Sequence, residues 1–416
     1  MKKIIALSIL ALYAFTQCEQ TFSQTQIKTK VMKNEAPLIQ DNPATAGNNQ
    51  FANDLFQNYI HSELEKDKNI FFSPFSIYAA LSMTSEGAKG QTALEMQKVM
   101  HLPENANLRQ TGFENLMTSL NSGSTNFKLT AANALWVQKD YSFLPEFIEI
   151  NKKRYKANAE NLDFINQPDA ARKKINSWAA DNTNNKIKEL LSENNITKYT
   201  RLILTNTIYF KGEWAKQFEK FLTKEADFTA SEGHIVKAQM MHIQRSFSYL
   251  ETEDAQVLEM PYKNNELSMI VILPKKGHTL QNISTKNLET FLSSKIDFEL
   301  LQVSFPKFKI EAKYLMKDDL SKMGMPLPFT DKADFSGMTG SKELQISQVI
   351  HQTFVDVDEA GTEAAAATAV GMEAGGMPNR IEPKQFNADR PFIFAIKHNT
   401  SGAVLFMGAV NNPNEK

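Results

Sequence analysis

Residues 358–368 read DEAGTEAAAAT, so a glycine and a short polar pair are followed by four consecutive alanines. The preceding residues, 344–357, read LQISQVIHQTFVDV, and their apolar side chains alternate over much of the segment, as in a β-strand. The following residues, 372–383, read MEAGGMPNRIEP and are typical of an irregular loop. Local propensity alone favours a helix or a loop for the alanines, with Thr362 as a cap. The neighbouring segments instead predict a strand, then a small-residue segment able to pair as a strand, then an exposed loop.

Four further segments carry a family resemblance. They are NIFFSPFSIYAALSMTSEGAKGQTALEM at 69–96, NTIYFKGEWAKQFEK at 206–220, LEMPYKNNELSMIVILP at 258–274 and FNADRPFIFAIKHNTSGAVLFMGAVNNP at 386–413. With residues 358–368 as the hinge of a reactive loop, the chain resembles the serpins over residues 51–413. The resemblance implies an α+β fold with about nine helices, three β-sheets and an exposed reactive-centre loop.

The composition is nearly neutral, with 46 basic and 47 acidic residues and a net charge of −1. This balance gives no electrostatic basis for binding nucleic acid or for a polybasic contact with a membrane. We therefore expect the partners to be proteins. We also expect the chain to be a monomer. Apolar residues make up 42% of the chain, and no linker interrupts residues 51–413, which predicts one large domain.

The N-terminal residues are typical of an export signal. Lys2 and Lys3 precede an apolar run over residues 4–15, which is too short to span a bilayer. We therefore predict a signal peptide over residues 1–18. The mature protein would lie outside the cell, in the periplasm or on the outer-membrane surface.

Cys18 is the only cysteine, so no intramolecular disulfide can form. A lone cysteine directly after an apolar run suggests a lipoprotein anchor, but Gln17 stands where the processing peptidase prefers a small residue. The sequence leaves both an ordinary signal and lipid attachment at Cys18 open, and that anchor would be the only membrane contact. Residues 19–50 are polar and aperiodic, which predicts a flexible tether to a serpin domain over residues 51–416.

Helical signals dominate the first part of the domain. Apolar residues at helical spacing predict a helix from Phe51 onward, with Asn48 or Asn49 as its cap. These residues are Phe51, Leu55, Phe56, Tyr59 and Ile60. Thr92 and Glu95 have the spacing of a capping box for another helix.

Strand signals dominate after Arg201. The segments LILTNTIYF at 202–210 and LSMIVILP at 267–274 are rich in β-branched, aromatic and apolar residues. Residues 392–396 and 404–406 alternate around a short turn and predict a C-terminal hairpin. Helices early and strands late favour the α+β class.

Motifs of enzymes are missing from this sequence. It contains no G-x-S-x-G, H-E-x-x-H, P-loop or C-x-x-C pattern, so we predict neither catalysis nor a cofactor. A dispersed Ser/His/Asp triad stays open, because its members need not be adjacent in sequence. His234 and His242 lack a third ligand at suitable spacing, so we predict no metal site.

The resemblance assigns two polar clusters. The first, which we call the shutter, would lie beneath the central sheet where two strands part, and consists of Ser73, Ser76, Asn206 and His351. The second, which we call the breach, would lie at the top of that sheet where insertion starts, and consists of Trp214, Lys307 and Glu359. The alternative is that the shutter residues only satisfy nearby backbone groups and that Trp214 is a core residue.

The hinge that the resemblance implies contains almost only small side chains. It consists of Glu359, Gly361, Thr362, Glu363, Ala364, Ala365, Ala366, Ala367 and Thr368. Serpins that have lost inhibition tend to carry bulky or charged residues here, so this hinge predicts a suicide inhibitor of serine proteases, with papain-like cysteine proteases as a further class. The alternative is a non-inhibitory serpin that acts as a tethered surface binding protein.

The scissile bond is predicted near Gly375–Gly376 by counting along the chain from Gly361. The candidate region comprises Met372, Glu373, Ala374, Gly375, Gly376 and Met377. Its small and apolar residues favour elastase-, subtilisin- or chymotrypsin-like proteases. Arg380 would suit a trypsin-like protease but lies farther from the hinge.

Overall fold

The computed structural model describes residues 42–62, 64–65, 67–121, 127–283, 285–293, 297–362 and 382–415. The predicted signal peptide, Cys18 and the tether as far as residue 41 lie outside these ranges. The hinge from Glu363 onward and the whole predicted scissile region also lie outside them. Within the described ranges, every helix is too short or too polar to cross a membrane.

Nine α-helices lie in the described residues, and six of them precede residue 183. They are α1 (Pro43–Ile60), α2 (Pro74–Ser85), α3 (Gly90–Val99), α4 (Ala106–Asn121), α5 (Pro145–Ile150), α6 (Pro168–Asn182), α7 (Thr285–Ser293), α8 (Lys317–Met323) and α9 (Ser336–Thr339). Helix α2 is buried along its whole length, because its residues are small or apolar on every side. Its cap, Ser73, accepts a hydrogen bond from the Ser76 N–H at 3.2 Å.

Helix α1 corrects the predicted start of the domain. We expected a tether up to Gln50, whereas the helix begins at Pro43, after the N-cap Asn42. The Asn42 side chain accepts a hydrogen bond from the Ala44 N–H at 2.9 Å. The apolar period starts only at Phe51, but small residues of the first turns are also buried, namely Ala44, Thr45, Gly47 and Asn48. Small side chains carry little periodic signal, so the pattern did not reveal these turns.

The caps that the sequence predicted for α1 and α3 were wrong. Asn48 and Asn49 lie inside α1, and their side chains donate hydrogen bonds to carbonyls near the C-terminus. Thr92 and Glu95 lie in α3. Their side-chain oxygens accept hydrogen bonds at 2.9 Å from backbone N–H groups at the two ends of the segment 327–334. Their true partners are distant in sequence, so local spacing could not predict them.

Fifteen strands lie in the described residues. They are β1 (Ile70–Phe72), β2 (Phe127–Gln138), β3 (Asn158–Leu162), β4 (Leu202–Glu213), β5 (Lys224–Thr229), β6 (Ile235–Glu251), β7 (Ala255–Pro261), β8 (Leu267–Pro274), β9 (Phe298–Pro306), β10 (Phe308–Leu315), β11 (Ile346–Val357), β12 (Gly361–Thr362), β13 (Lys384–Asn387), β14 (Phe392–His398) and β15 (Val404–Val410). Helices come mostly early and strands mostly late, which confirms the α+β class.

The described strands form two hydrogen-bonded sheets. One has six strands in the order β10-β11-β12-β4-β2-β3. The other has nine strands, in the order β1-β15-β14-β8-β7-β6-β9-β13, with β5 also paired to β6. We expected three sheets. The 17-residue strand β6 explains the difference, because it pairs with β5, β9 and β7 in turn and so joins two groups of strands.

The main core lies between the two sheets and the first helices. It contains the apolar residues of the C-terminal hairpin of β14 and β15, a hairpin that the alternating pattern predicted. A smaller cluster under α6 includes Trp136, Ile203 and Ile350 on the outer face of the six-stranded sheet. This sheet is therefore covered on both faces, and its centre carries the candidate site.

Candidate functional site

The six-stranded sheet is open along part of its centre. Strands β4 and β11 pair in parallel only at one end, where Gln352 opposite Thr207 is the last pair. Beyond that pair the strands separate, and β12 lies between them. Its Thr362 pairs with Val357 of β11 on one side and with Gly212 of β4 on the other. The first two residues of the small-residue segment thus form a strand that occupies the upper end of this opening.

Gly361 can enter the opening because it has no side chain. Its φ is +153°, and a Cβ atom at this position would collide with the Gly212 carbonyl oxygen. Only glycine tolerates such a close backbone approach. The glycine of the DEAGT sequence is therefore required by the start of the inserted strand.

Thr362 contacts a stacked aromatic pair, Tyr262 and Trp214. Its hydroxyl lies 2.8 Å from the Tyr262 hydroxyl, and both residues are buried. The Tyr262 ring stacks on Trp214, with centroids 4.6 Å apart. Burial raises the pKa of Tyr262 well above its ordinary value, so the phenol keeps its proton and can form this hydrogen bond. Tyr262 was not predicted as a site residue, although it lies in the segment 258–274 that carries the family resemblance.

Glu359 is held by two donors at the top of the sheet. Lys307 Nζ lies 2.9 Å from Glu359 Oε2, and the Thr223 hydroxyl donates to Oε1 at 2.7 Å. The Glu359 side chain is only 6% exposed. Burial alone would raise its pKa, but the hydrogen bonds from Lys307 and Thr223 outweigh burial and lower the pKa below its ordinary value. Glu359 is therefore a charged and almost fully enclosed group at neutral pH.

Trp214 fastens the backbone that precedes the hinge. Its indole N–H donates to the Asp358 carbonyl at 3.0 Å, and its backbone N–H donates to the Ala360 carbonyl at 2.9 Å. The Asp358 carboxylate in turn accepts the N–H groups of Ala360 and Gly361. Trp214 is thus a core residue, as the alternative predicted, and it also contacts Glu359's neighbours on both sides. The three predicted breach residues, Trp214, Lys307 and Glu359, lie together.

The four predicted shutter residues also lie together, and all are buried. The Ser73 N–H donates to His351 Nε2 at 2.9 Å, so the proton of the neutral ring is on Nδ1. His351 Nδ1 then donates to Asn206 Oδ1 at 2.7 Å. Asn206 Nδ2 donates to the Ser76 carbonyl at 2.8 Å and to the Ser76 hydroxyl. These bonds join helix α2 to both strands that part.

The shutter lies at the fork itself. Asn206 of β4 and His351 of β11 are register partners, one position before the last pair of the two strands. Burial lowers the pKa of His351 to about 3, so the ring is neutral at physiological pH. The side-chain oxygen of Asn133 on β2 also contacts Asn206 Nδ2, and Asn133 was missed by the sequence analysis. Its register partner across β2 and β4 is Asn206, a pairing that only the sheet reveals.

The parted end of the six-stranded sheet leaves room for an added strand. An added strand could enter between β4 and β11 beyond Thr207 and Gln352, because the register of these two strands ends at that pair. In the part of the chain that the structure describes, no group of three His, Cys, Asp or Glu side chains is placed to hold a metal ion. The predicted region 372–377 and the hinge residues 363–368 lie outside the described residues.

Comparisons with known proteins agree with this geometry. Residues 46–413 match the family model described as serpin, serine protease inhibitor. An uncharacterized serpin-like protein of Thermococcus kodakarensis is 41% identical, over 90% of this chain and 87% of its own length. The human leukocyte elastase inhibitor is 38% identical, over 89% of this chain and 99% of its own length.

A solved structure has the same fold. Human thyroxine-binding globulin matches with a TM-score of 0.80 and 30% identity, covering 91% of this chain and all of that chain. The family match covers most of the chain, the relatives align over nearly their whole length, and the fold agrees. The chain therefore belongs to the serpin family.

Proposed function

We propose that this protein is a suicide inhibitor of serine proteases, with papain-like cysteine proteases as a further target class. The protease nucleophile would attack a carbonyl in the reactive loop, and the bond to the next nitrogen would break. The N-terminal part of the loop would then remain on the protease as an acyl ester or thioester. Its hinge would enter the opening between β4 and β11 and carry the protease with it.

The position of Thr362 is the observation that carries this proposal. It already pairs with β4 on one side and with β11 on the other. An added strand that continued from Thr362 would place Ala364 and Ala366 on the same face and Glu363 on the opposite one. The face of the added strand that carries Thr362 would then bury no charged side chain at these positions.

The energy available from insertion is large enough for this mechanism. About a dozen residues would each add a backbone hydrogen bond with a net contribution of ~1 kcal/mol, so insertion would release on the order of 10 kcal/mol. An ordinary domain is stable by only ~5–15 kcal/mol. Insertion could therefore distort the active site of an attached protease.

The favoured targets are elastase-, subtilisin- or chymotrypsin-like proteases. This choice rests on the small and apolar residues around Ala374, and the name of the human leukocyte elastase inhibitor supports it. The sequence places the bond near Gly375–Gly376, and the glycine pair would admit cleavage at neighbouring bonds.

The test is to mix the purified protein with neutrophil elastase, subtilisin, trypsin and papain. We expect a complex that survives SDS with at least one of them, and a released C-terminal fragment whose mass locates the cut within residues 372–380. Cleavage by all four proteases without any such complex would overturn the proposal.

A second candidate function is that of a tethered binding protein whose loop is not cut. The match to thyroxine-binding globulin supports this second candidate, because that protein shares the fold and is named for binding a small molecule. The two functions differ in the effect of cleavage. An inhibitor gains stability when its loop is cut, whereas a binding protein that cannot insert the loop does not.

We further propose that the protein acts outside the cell, either free or attached through a lipid on Cys18. The apolar run at residues 4–15 and the position of the cysteine support this proposal. Expression of the full chain and of its Cys18→Ser variant tests the anchor. Movement of the variant from the membrane fraction to the soluble fraction would support lipidation, and an unchanged distribution would exclude it.

A further inference from the structure

Lys216 lies beside two aromatic rings, and Arg245 lies close enough to repel its charge. Lys216 Nζ lies 5.0 Å from the centroid of Phe247 and 5.7 Å from that of Phe298. Lys216 also donates a hydrogen bond to the Ser246 carbonyl. Arg245 lies two residues before Phe247 on β6 and therefore on the same face of that strand. We call Lys216, Arg245 and the exposed Phe298, together with the buried Phe247 beneath Lys216, the cation–aromatic patch.

The charges of this patch are not neutralised by the rest of the described chain. Arg245 donates to the neighbouring Gln244 carbonyl at 3.0 Å, and among the described residues neither Arg245 nor Lys216 forms an ion pair. Burial, and then repulsion from Arg245, lowers the pKa of Lys216. Lysines close by are paired, since Lys307 and Lys384 each lie 2.9 Å from a glutamate oxygen. Among the described residues, the patch thus carries two cations that bond to backbone carbonyls but to no carboxylate.

The patch lies between the two described ends of the reactive loop. On one side, Lys216 stands between Trp214 and Phe218, whose N–H groups donate to carbonyls of residues 359–360 just before the hinge. On the other side, Arg245 of β6 is the register partner of Leu301 on β9. Leu301 also pairs with Lys384, the first residue of β13. The patch therefore lies near both described ends of the segment that a bound protease would engage.

We propose that the cation–aromatic patch is a second contact surface for the protease that engages the reactive loop, and that it binds carboxylates on the surface of that protease. The inference rests on the proposed inhibitory function and adds a determinant of its rate. Arginine binds carboxylates with two parallel hydrogen bonds, and Phe298, 72% exposed, supplies an apolar contact next to the charges.

A long polyanion is a poorer fit to this surface. Such ligands need an extended row of cations, whereas the patch has two, and Glu299 follows Phe298 directly and pairs with Lys384. Two cations with an adjacent ring instead match the size of a local contact between proteins.

The test measures the association rate constant for whichever of elastase, subtilisin, trypsin and papain forms the SDS-stable complex. The wild type is compared with the Lys216→Gln, Arg245→Gln double variant at low and high salt. Loss of electrostatic attraction should slow association at low salt by about tenfold, and the difference should shrink at high salt. The stoichiometry of inhibition should not change, because hinge insertion does not use these side chains.

Lys198→Gln is the matched control. Lys198 also lies over an exposed ring, 5.1 Å from the centroid of Tyr199. It precedes the first residue of β4, whereas Gly212 and the hinge lie at the other end of that strand. We expect the control to associate at the wild-type rate. Equal rates for the wild type and the double variant at low salt would overturn the inference, as would an equal loss in the control. If the wild type traps none of the four proteases, the proposed function fails and the inference falls with it.

Discussion

At the scale of single residues, the site depends on groups that keep one charge state in a buried place. Glu359 remains ionised because Lys307 and Thr223 donate to it, and His351 remains neutral because no opposite charge offsets its burial. Each group joins segments that would have to separate or move under the proposed insertion of a strand. Their contributions to stability can be measured one at a time.

Replacing Glu359 with Gln should loosen the top of the sheet. The change removes a charge-assisted contact with Lys307, so we expect the free energy of unfolding to fall by about 1–3 kcal/mol in a urea titration. Glu299→Gln is a matched control, because Glu299 also lies 2.9 Å from a lysine but is 39% exposed. The control should change stability by less than about 1 kcal/mol. Equal losses in both variants would show that Glu359 is only a surface partner.

His351 should make stability depend on pH in a defined window. The unfolded chain binds a proton at this residue near pH 6.5, whereas the folded protein does so only near pH 3. The unfolded state therefore binds more protons between these values, so stability present above pH 6.5 is lost as the pH falls, by up to about 1.4 kcal/mol per pH unit.

Unfolding free energies of the wild type and of His351→Gln, measured from pH 7.5 to 4, test this prediction. The variant should lose less stability on acidification. His398→Gln is a useful comparison, because burial lowers the pKa of His398 to about 4. The loss of stability due to His398 on acidification should therefore level off near pH 4. Parallel curves for the wild type and His351→Gln would contradict the account.

At the scale of elements, the pattern of residues 344–357 predicted β11, and the alternation near the C-terminus predicted the hairpin of β14 and β15. The fork between β4 and β11 could not be predicted from local pattern. It depends on register between strands more than a hundred residues apart, and on partners such as Tyr262 and Asn133 that share no spacing with the hinge. The start of α1 was missed because its first buried residues are small.

The hinge strand gives the prediction that belongs to this scale. Thr362 is 1% exposed, so Thr362→Arg would place a long cation where the strand must enter the sheet. The loop should still be cut, but the SDS-stable complex should fall at least tenfold relative to cleaved product. Thr362→Ser keeps the hydroxyl that meets Tyr262 and should behave as the wild type. Undiminished trapping by the Arg variant would contradict insertion at this position.

At the scale of the whole molecule, the segment predicted to be the reactive loop joins the two sheets. It leaves the six-stranded sheet at Thr362 and reaches the nine-stranded sheet at Lys384. After cleavage, the C-terminal piece would stay bound, because β14 lies between β8 and β15 and β15 pairs with β1. The Asn69 side chain also binds the backbone of Asn411 and Asn412. A cut molecule should therefore remain one folded body in which the freed hinge can enter the opening.

The thermal unfolding midpoint before and after cleavage tests this claim most directly. Intact protein and protein cut by subtilisin would be compared under the same conditions, with the mass of the C-terminal fragment confirming the cut. Complete insertion between β4 and β11 predicts a rise on the order of 10 °C or more, because the added strand contributes about 10 kcal/mol. An unchanged or lower midpoint after cleavage at residues 372–380 would mean that the hinge does not insert, and would contradict the account.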